Sequence, residues 1–225
     1  MPEIIAHRGA SRECPENTLA AFRRAMELGA DGVELDVHRT ADGVIVVHHD
    51  PAVKDESSGR LTPIASLDRA ALRAFRVGGE PIPMLAEVLE LLAGRLTAYC
   101  ELKGRDTTRG TLECLAKAHA KGAVHAFDHR QVAEAQRLAP AVPRGVLEAS
   151  YPLDSLHAAR TVGARDLWRH WEHVDEALVR EAHKVSARVV AWTVNDAALM
   201  ERLASWGVDA LCTDDVALAR TLFPR

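Results

Sequence analysis

Gly29-Ala30-Asp31-Gly32-Val33-Glu34-Leu35-Asp36-Val37 is the stretch on which the fold turns. A glycine-rich turn leads into an apolar run, and that run carries two carboxylates two residues apart. In a strand, residues i and i+2 face the same side, so Glu34 and Asp36 converge. Two anions in a half-buried site repel unless a cation or a proton joins them. The earlier run Ile4-Ile5-Ala6 behaves alike, ending in His7-Arg8-Gly9. Ordinary core strands would stay apolar; these two hand charged groups to solvent at their carboxyl ends.

Working outward, strands are expected near 4–6, 32–36, 98–102, 124–127, 144–147, 166–170, 188–193 and 209–212. Helical patterns follow them, the first capped by Asn17, striped by Leu19, Phe22 and Met26, and stopped at Gly29. Others are expected near 83–93, 108–121, 130–139, 153–163, 174–186, 196–206 and 215–222. Eight strands each followed by a helix predict an α/β fold of the (β/α)₈ TIM-barrel type, with residues 1–225 as a single domain. One stretch breaks the alternation. Residues 34–39 and 44–49 flank Asp42-Gly43, which suits a two-residue hairpin turn. Paired positions then sum to 85, so that 41 meets 44, 39 meets 46, and Asp36 faces His49 about 5 Å away. A bulge would move the pairing to His48. Residues 51–81, rich in proline, glycine and serine, are expected as a small insertion over the barrel mouth.

Barrel enzymes work at the carboxyl ends of their strands. Those ends read His7-Arg8, Glu34 with Asp36, Glu101-Leu102-Lys103, Asp128-His129, Trp192 to Asn195, and Thr213-Asp214-Asp215. Three carboxylates (Glu34, Asp36, Glu101) offer only oxygen, which favours a hard divalent cation, Mg²⁺ or Ca²⁺ with Mn²⁺ as a further option, over zinc. With a divalent ion they keep one net negative charge, and Arg8 and Lys103 turn that to one net positive. Such a site welcomes a phosphodiester. His7 and His49 suit proton transfer to and from the reacting oxygens. Trp192 would wall the site, or fill the barrel. Asn17, Asp128, His129 and Asn195 are expected as supporting residues, with Asn17 serving equally as the helix cap. Thr213-Asp214 read as a cap for the last helix, and His119, His125, His157 and His183 as surface histidines.

A net charge of −4 gives no basic field for nucleic acid. No apolar run approaches the roughly 20 residues that span a bilayer, and the first residues do not read as a signal segment. The four cysteines are scattered, without metal or disulfide spacing, which suits a reduced, cytoplasmic protein.

The same residues resemble the glycerophosphodiester phosphodiesterase family. The matches are HRG at 7–9, PENT at 15–18, GADGVELDV at 29–37, T-x-DG at 40–43 and VVxHD at 46–50. They continue with ELK at 101–103, FDH at 127–129, WTVN at 192–195 and GVDALCTD at 207–214, all in the family's order. The resemblance implies a phosphatidylinositol-phosphodiesterase-like barrel that cleaves glycerophosphodiesters to sn-glycerol 3-phosphate and an alcohol. It implies His7 and His49 as the acid/base pair, His49 being the histidine directly before Asp50. It puts Glu34, Asp36 and Glu101 on the metal, and Arg8 and Lys103 near phosphate. It is the short bacterial cytoplasmic type that this chain is similar to. The implied partner is a small-molecule glycerophosphodiester, with no nucleic acid and no stable membrane association; a homodimer is compatible with the chain.

The chain departs from the family pattern at three places. Residues 53–59 lack the usual arginine, Ala126 stands where a serine is usual, and 168–173 read Trp-Arg-His-Trp-Glu-His. All three bear on the leaving-group side. Direct attack by water and attack by the substrate's own 2-hydroxyl through a cyclic phosphate both fit. A lipid phosphodiesterase would want an exposed apolar rim, which the sequence lacks, and a non-catalytic phosphate-binding barrel would not need both histidines and all three acids.

Overall fold

In the computed structural model, residues 1–55 and 57–225 are described; Glu56, within the 53–59 run, lies outside the described residues. The eight barrel strands are β1 (Glu3–His7), β2 (Gly32–Arg39), β3 (Thr97–Leu102), β4 (Gly122–Ala126), β5 (Arg144–Glu148), β6 (Asp166–His170), β7 (Arg188–Trp192) and β8 (Ala210–Thr213). Each pairs parallel with its neighbour, and β1 pairs with both β8 and β2, which closes the sheet. The barrel class expected from the alternation is the one observed.

Two sets of apolar residues result from the alternation of side chains along each strand. Those pointing outward meet the helices. Leu85–Leu92, for example, buries Leu85, Val88, Leu89 and Leu92 at helical spacing. Those pointing inward form a separate plug of Ile5, Tyr99, Ala123, Leu147, Trp168, Val190, Ala210 and Cys212. Glycine is required beside the two large rings. A Cβ on Gly32 would lie 2.8 Å from the Tyr99 ring, and one on Gly145 would lie 2.6 Å from that of Trp168.

Two local expectations are corrected. The first helix, Leu19–Glu27, is capped by Thr18, whose hydroxyl accepts from the Ala21 amide. Asn17 is displaced from that role because its backbone adopts φ 57° and turns its side chain toward β2. The hairpin pairs Val37 with Val47, His38 with Val46 and Arg39 with Ile45, so paired positions sum to 84. Its loop holds three residues, not two. The Gly43 amide donates to Thr40 O at 3.0 Å, Thr40 N donates to Val44 O at 2.9 Å, and Gly43 takes φ 86°. A left-handed glycine closing the turn absorbs the extra residue. His48 thus meets Asp36 through its amide, at 3.0 Å, and the ladder ends there.

Beyond the hairpin, short antiparallel pairs Ala52–Lys54 with Leu61–Pro63 and Arg76–Val77 with Glu80–Pro81 flank two short helical turns. Val53, Ile64 and Leu72 gather there on Val46 and Ile82, forming a cluster apart from the two barrel cores.

At the amino end of the barrel, Asp31 ties three elements together. Its carboxylate accepts from the Ile4 amide at 2.8 Å, from Arg220 of the helix Val216–Leu222, and from Arg225 at 3.1 Å. Burial pushes this carboxyl up, but the Ile4 amide and the two guanidinium groups outweigh it and hold it below the usual range. A group depressed in the folded state stabilises above its unfolded value and loses that contribution as pH falls through the folded one. Asp31→Asn should therefore lower stability by about 1–3 kcal/mol near neutral pH. The gap to the wild type should narrow below about pH 4. Urea denaturation at the two pH values measures it; an equal gap at both would contradict the account.

Candidate active site

The carboxyl ends of the strands surround a cavity of about 190 Å³. Its polar wall comprises His7, Arg8, Glu34, His49, Glu101 and Lys103, and its apolar wall Phe127, Leu147, Trp168 and Trp192. Register explains the convergence. His7 pairs with Glu34 across β1 and β2, Asp36 pairs with Glu101 across β2 and β3, and Glu101 pairs with His125 across β3 and β4. Each pair lies side by side at the same height of the barrel.

Glu34 is 3% exposed and accepts from the Arg8 amide at 3.1 Å. Asp36, 1% exposed, accepts from Asn17 Nδ2 at 2.8 Å and lies 3.2 Å from Arg8 Nε. Arg8 is itself gripped through Nη1 by both oxygens of Glu16 at 3.0 Å. Burial opposes the charge of Arg8, but Asp36, Glu16 and Glu34 more than restore it. Lys103 reaches Glu101 at 3.2 Å, Asp36 Oδ1 at 3.6 Å and His49 Nε2 at 3.1 Å. Burial, followed by repulsion from Asp36 and Glu101, pushes Glu34 well above the normal carboxylate range. Glu101 is raised for the same reasons, with Lys103 only partly offsetting them.

The donor set suits a divalent cation. Glu34, Glu101 and His125 can each bring one ligand atom within 4.8 Å of the others. Among the described residues, Asp36 Oδ1 is buried without a hydrogen-bond partner. Raised carboxyls and an orphaned carboxylate oxygen are what an acidic site shows when positive charge is short.

The two exposed-end histidines share one design. His7 Nδ1 lies 2.7 Å from Asp214 Oδ1, leaving Nε2 turned inward, 3.9 Å from Glu34. Asp214 is fixed in turn by Ser11 at 3.0 Å and by Asn195 Nδ2 at 2.6 Å. Burial works against its charge, but the His7, Asn195 and Ser11 contacts bring it down to about 2. His49 Nδ1 meets Asp50 Oδ1 at 2.8 Å and its Nε2 meets Lys103, while His38 Nε2 holds its carbonyl at 3.1 Å. With Asp214 ionised, His7 Nδ1 donates to it; Lys103 can only donate, so His49 Nε2 accepts and His49 Nδ1 donates to Asp50.

Other sequence-predicted residues are spread more widely. Trp192 lines the cavity mouth, its ring 5.8 Å from that of Phe127 and 5.2 Å from that of His170. Asn17 and Asn195 touch Asp36 and Asp214 respectively. Asp128 caps the helix His129–Leu138 and pairs with Arg130 at 2.7 Å, away from the cavity. His129 Nε2 lies 3.3 Å from the Leu147 carbonyl. Trp168 lies in the barrel plug, and Trp171 packs against the outer core.

Two residues were misread from the sequence. His125 is not on the surface: it is 1% exposed and stacked on Trp168, ring centres 4.1 Å apart and 2° from coplanar. Burial, then Lys103 and His7, lower its pKa to about 3, so it is neutral. Its place in the inward alternation, two residues after Ala123, was the available signal. Asp214 does not cap the last helix; Asp215 does, accepting from the Leu218 amide at 2.9 Å.

The profile of the glycerophosphoryl diester phosphodiesterase family matches residues 7–218. A glycerophosphodiester phosphodiesterase of Caldanaerobacter subterraneus subsp. tengcongensis is 36% identical over 94% of this chain and 93% of its own length. An Oleispira antarctica phosphodiesterase, solved in complex with the product sn-glycerol-3-phosphate, superposes with a TM-score of 0.92. It shares 25% identity, covering 100% of this chain and 98% of its own. A glycerophosphodiester phosphodiesterase from Thermotoga maritima gives a TM-score of 0.86 at 26% identity, covering 99% and 98% of the two chains. No described helix is long and apolar enough to cross a membrane. Barrel, strand-end chemistry and kinship agree, and the chain belongs to the glycerophosphoryl diester phosphodiesterase family.

Proposed function

We propose that the protein hydrolyses glycerophosphodiesters to sn-glycerol 3-phosphate and an alcohol, with His7 and His49 as the proton-transfer pair. Residues 1–225 act as one catalytic domain, with 51–81 as its small insertion and the cytoplasm as its place of work. The observation carrying this reading is that both imidazoles line one cavity, each with Nδ1 bound to a carboxylate. The product held by the Oleispira antarctica relative supports the choice of glycerol 3-phosphate.

Charge assigns the roles. Lys103 donates to His49 Nε2, so His49 starts as an acceptor and serves as the base. His7, whose Nδ1 is held by Asp214 and whose Nε2 is turned into the cavity toward Glu34, serves as the acid that protonates the leaving alkoxide. Arg8 and Lys103 neutralise the phosphodiester, and Trp192 offers an apolar face to the glycerol carbons. Glu34, Asp36 and Glu101 would hold a divalent cation. A cation held there would supply Lewis-acid polarisation to the phosphoryl group.

Glycerol 3-phosphate should be released from glycerophosphocholine or glycerophosphoethanolamine, stop with EDTA, and resume on adding Mg²⁺, Ca²⁺ or Mn²⁺; chelator-resistant turnover would remove the metal from the scheme. His7→Ala should lower kcat by about 10²–10⁴-fold. Asp214→Asn should lower it by about 10²-fold or more with little change in KM, because it frees the ring to take the wrong tautomer. The rate should peak between about pH 5 and 9, falling on the acid side as the base is protonated and on the alkaline side as the acid is lost. Residual activity of His49→Ala should lack the acid-side fall, and that of His7→Ala the alkaline-side fall; the reverse pattern would swap the two roles.

A further inference from the structure

His125 has no place in the proton transfers above, yet its side chain is almost wholly withdrawn from water and faces the cavity. A buried imidazole nearly always finds hydrogen-bond partners. Here, among the described residues, Nδ1 has none, and Nε2 lies 4.0 Å from Glu34 Oε1. Stacking on Trp168 fixes the plane of the ring, so it cannot turn away to find one. The ring can nevertheless bring a nitrogen within 4.8 Å of carboxylate oxygens of both Glu34 and Glu101. With the ring plane fixed, Nε2 faces Glu34 and is placed to serve as a ligand beside the two carboxylates.

We infer that His125 is a nitrogen ligand of the catalytic cation, and that it tunes the site toward Mn²⁺ and its borderline transition-metal neighbours and away from Mg²⁺ and Ca²⁺. The inference rests on the metal-dependent reading above. Mg²⁺ and Ca²⁺ take oxygen almost exclusively, whereas imidazole binds first-row transition ions well. Exchanging one oxygen for nitrogen therefore raises the affinity of the second group and does little for the first. The site would then discriminate by ligand chemistry, since each of these ions carries the same charge.

The test is made on the full chain, stripped of metal and loaded with Mn²⁺. Pulsed electron paramagnetic resonance should show the coupling of a directly bound ¹⁴N, and His125→Gln should remove it. Calorimetry should find Mn²⁺ bound about 100-fold more weakly by His125→Gln, with Mg²⁺ changed by less than about threefold. Absence of nitrogen coupling in the wild-type Mn²⁺ protein would overturn the inference, whether or not the variant folds. Nitrogen coupling that persists in His125→Gln would assign the ligand to another histidine and overturn it equally. If Mn²⁺ binds, weakens in Glu34→Gln, and shows no nitrogen, only the role of His125 fails. If no divalent ion binds at all, the metal-dependent reading fails with it.

Discussion

Burying Glu34 beside Asp36 and Glu101 is the constraint to which the remainder of the site answers. Two unit charges within 4.8 Å repel by roughly 3 kcal/mol even at an effective dielectric of about 20. One hydrogen bond returns only about 1 kcal/mol, or up to about 3 when the acceptor is charged. Local donors do not offset this, and Glu34 and Glu101 are both raised. The chain brings what it can: the Arg8 amide to Glu34, Asn17 and Arg8 to Asp36, Lys103 to Glu101. Arg8 reaches its position only with a left-handed backbone at φ 56°, which costs about 1–2 kcal/mol in a residue that is not glycine. The two cations still leave the trio one charge in deficit. A divalent ion, on the proposed reading, would reverse that sign and favour an anionic diester.

The barrel interior sets where this happens. Tyr99 and Trp168, admitted by Gly32 and Gly145, fill the lower barrel and meet edge to face with centres 5.4 Å apart. Above them lies the layer of charged groups, and Trp168 touches it directly through His125. Trp168 thus has two duties, as part of the plug and as the surface that orients His125. Truncating a buried tryptophan typically costs about 3–5 kcal/mol. Here it would also release the imidazole, so stability and metal-site geometry are coupled at one side chain.

What could be read in the sequence was whatever repeats with a short period. Alternating apolar runs and helical stripes disclosed the strands and helices, and the i, i+2 spacing of Glu34 and Asp36 disclosed a shared face. What could not be read was set by single residues across long gaps. The one-residue shift of the hairpin came from Gly43 closing a three-residue loop where Asp-Gly suggested two. Thr18 and Asn17 are both good helix caps, and only the distant Asp36 carboxylate decides between them. Asp214 and Asp215 are adjacent identical residues; one caps a helix and the other holds His7, 207 residues away in sequence. His125 lay within an expected strand, and consistent use of the inward alternation would have set it beside Glu101.

The site is also divided by how its parts are held. Glu34, Asp36, Glu101 and His125 sit within the parallel ladder, where paired backbones fix their positions. His49 lies past the end of its ladder and depends on side-chain contacts: Asp50, Lys103, and the bond from His38 to its carbonyl. Lys103 binds His49 and Glu101 together in this state. On the proposed reading an incoming phosphoryl oxygen would compete for the same ammonium, and His49 Nε2 would lose its donor if Lys103 turned toward it. On that reading the substrate would thereby free the base, while the acids on the strands stay fixed. Loop-borne and strand-borne groups would not be interchangeable here: ligands of an ion must hold their spacing, and a proton acceptor must let go of its partner.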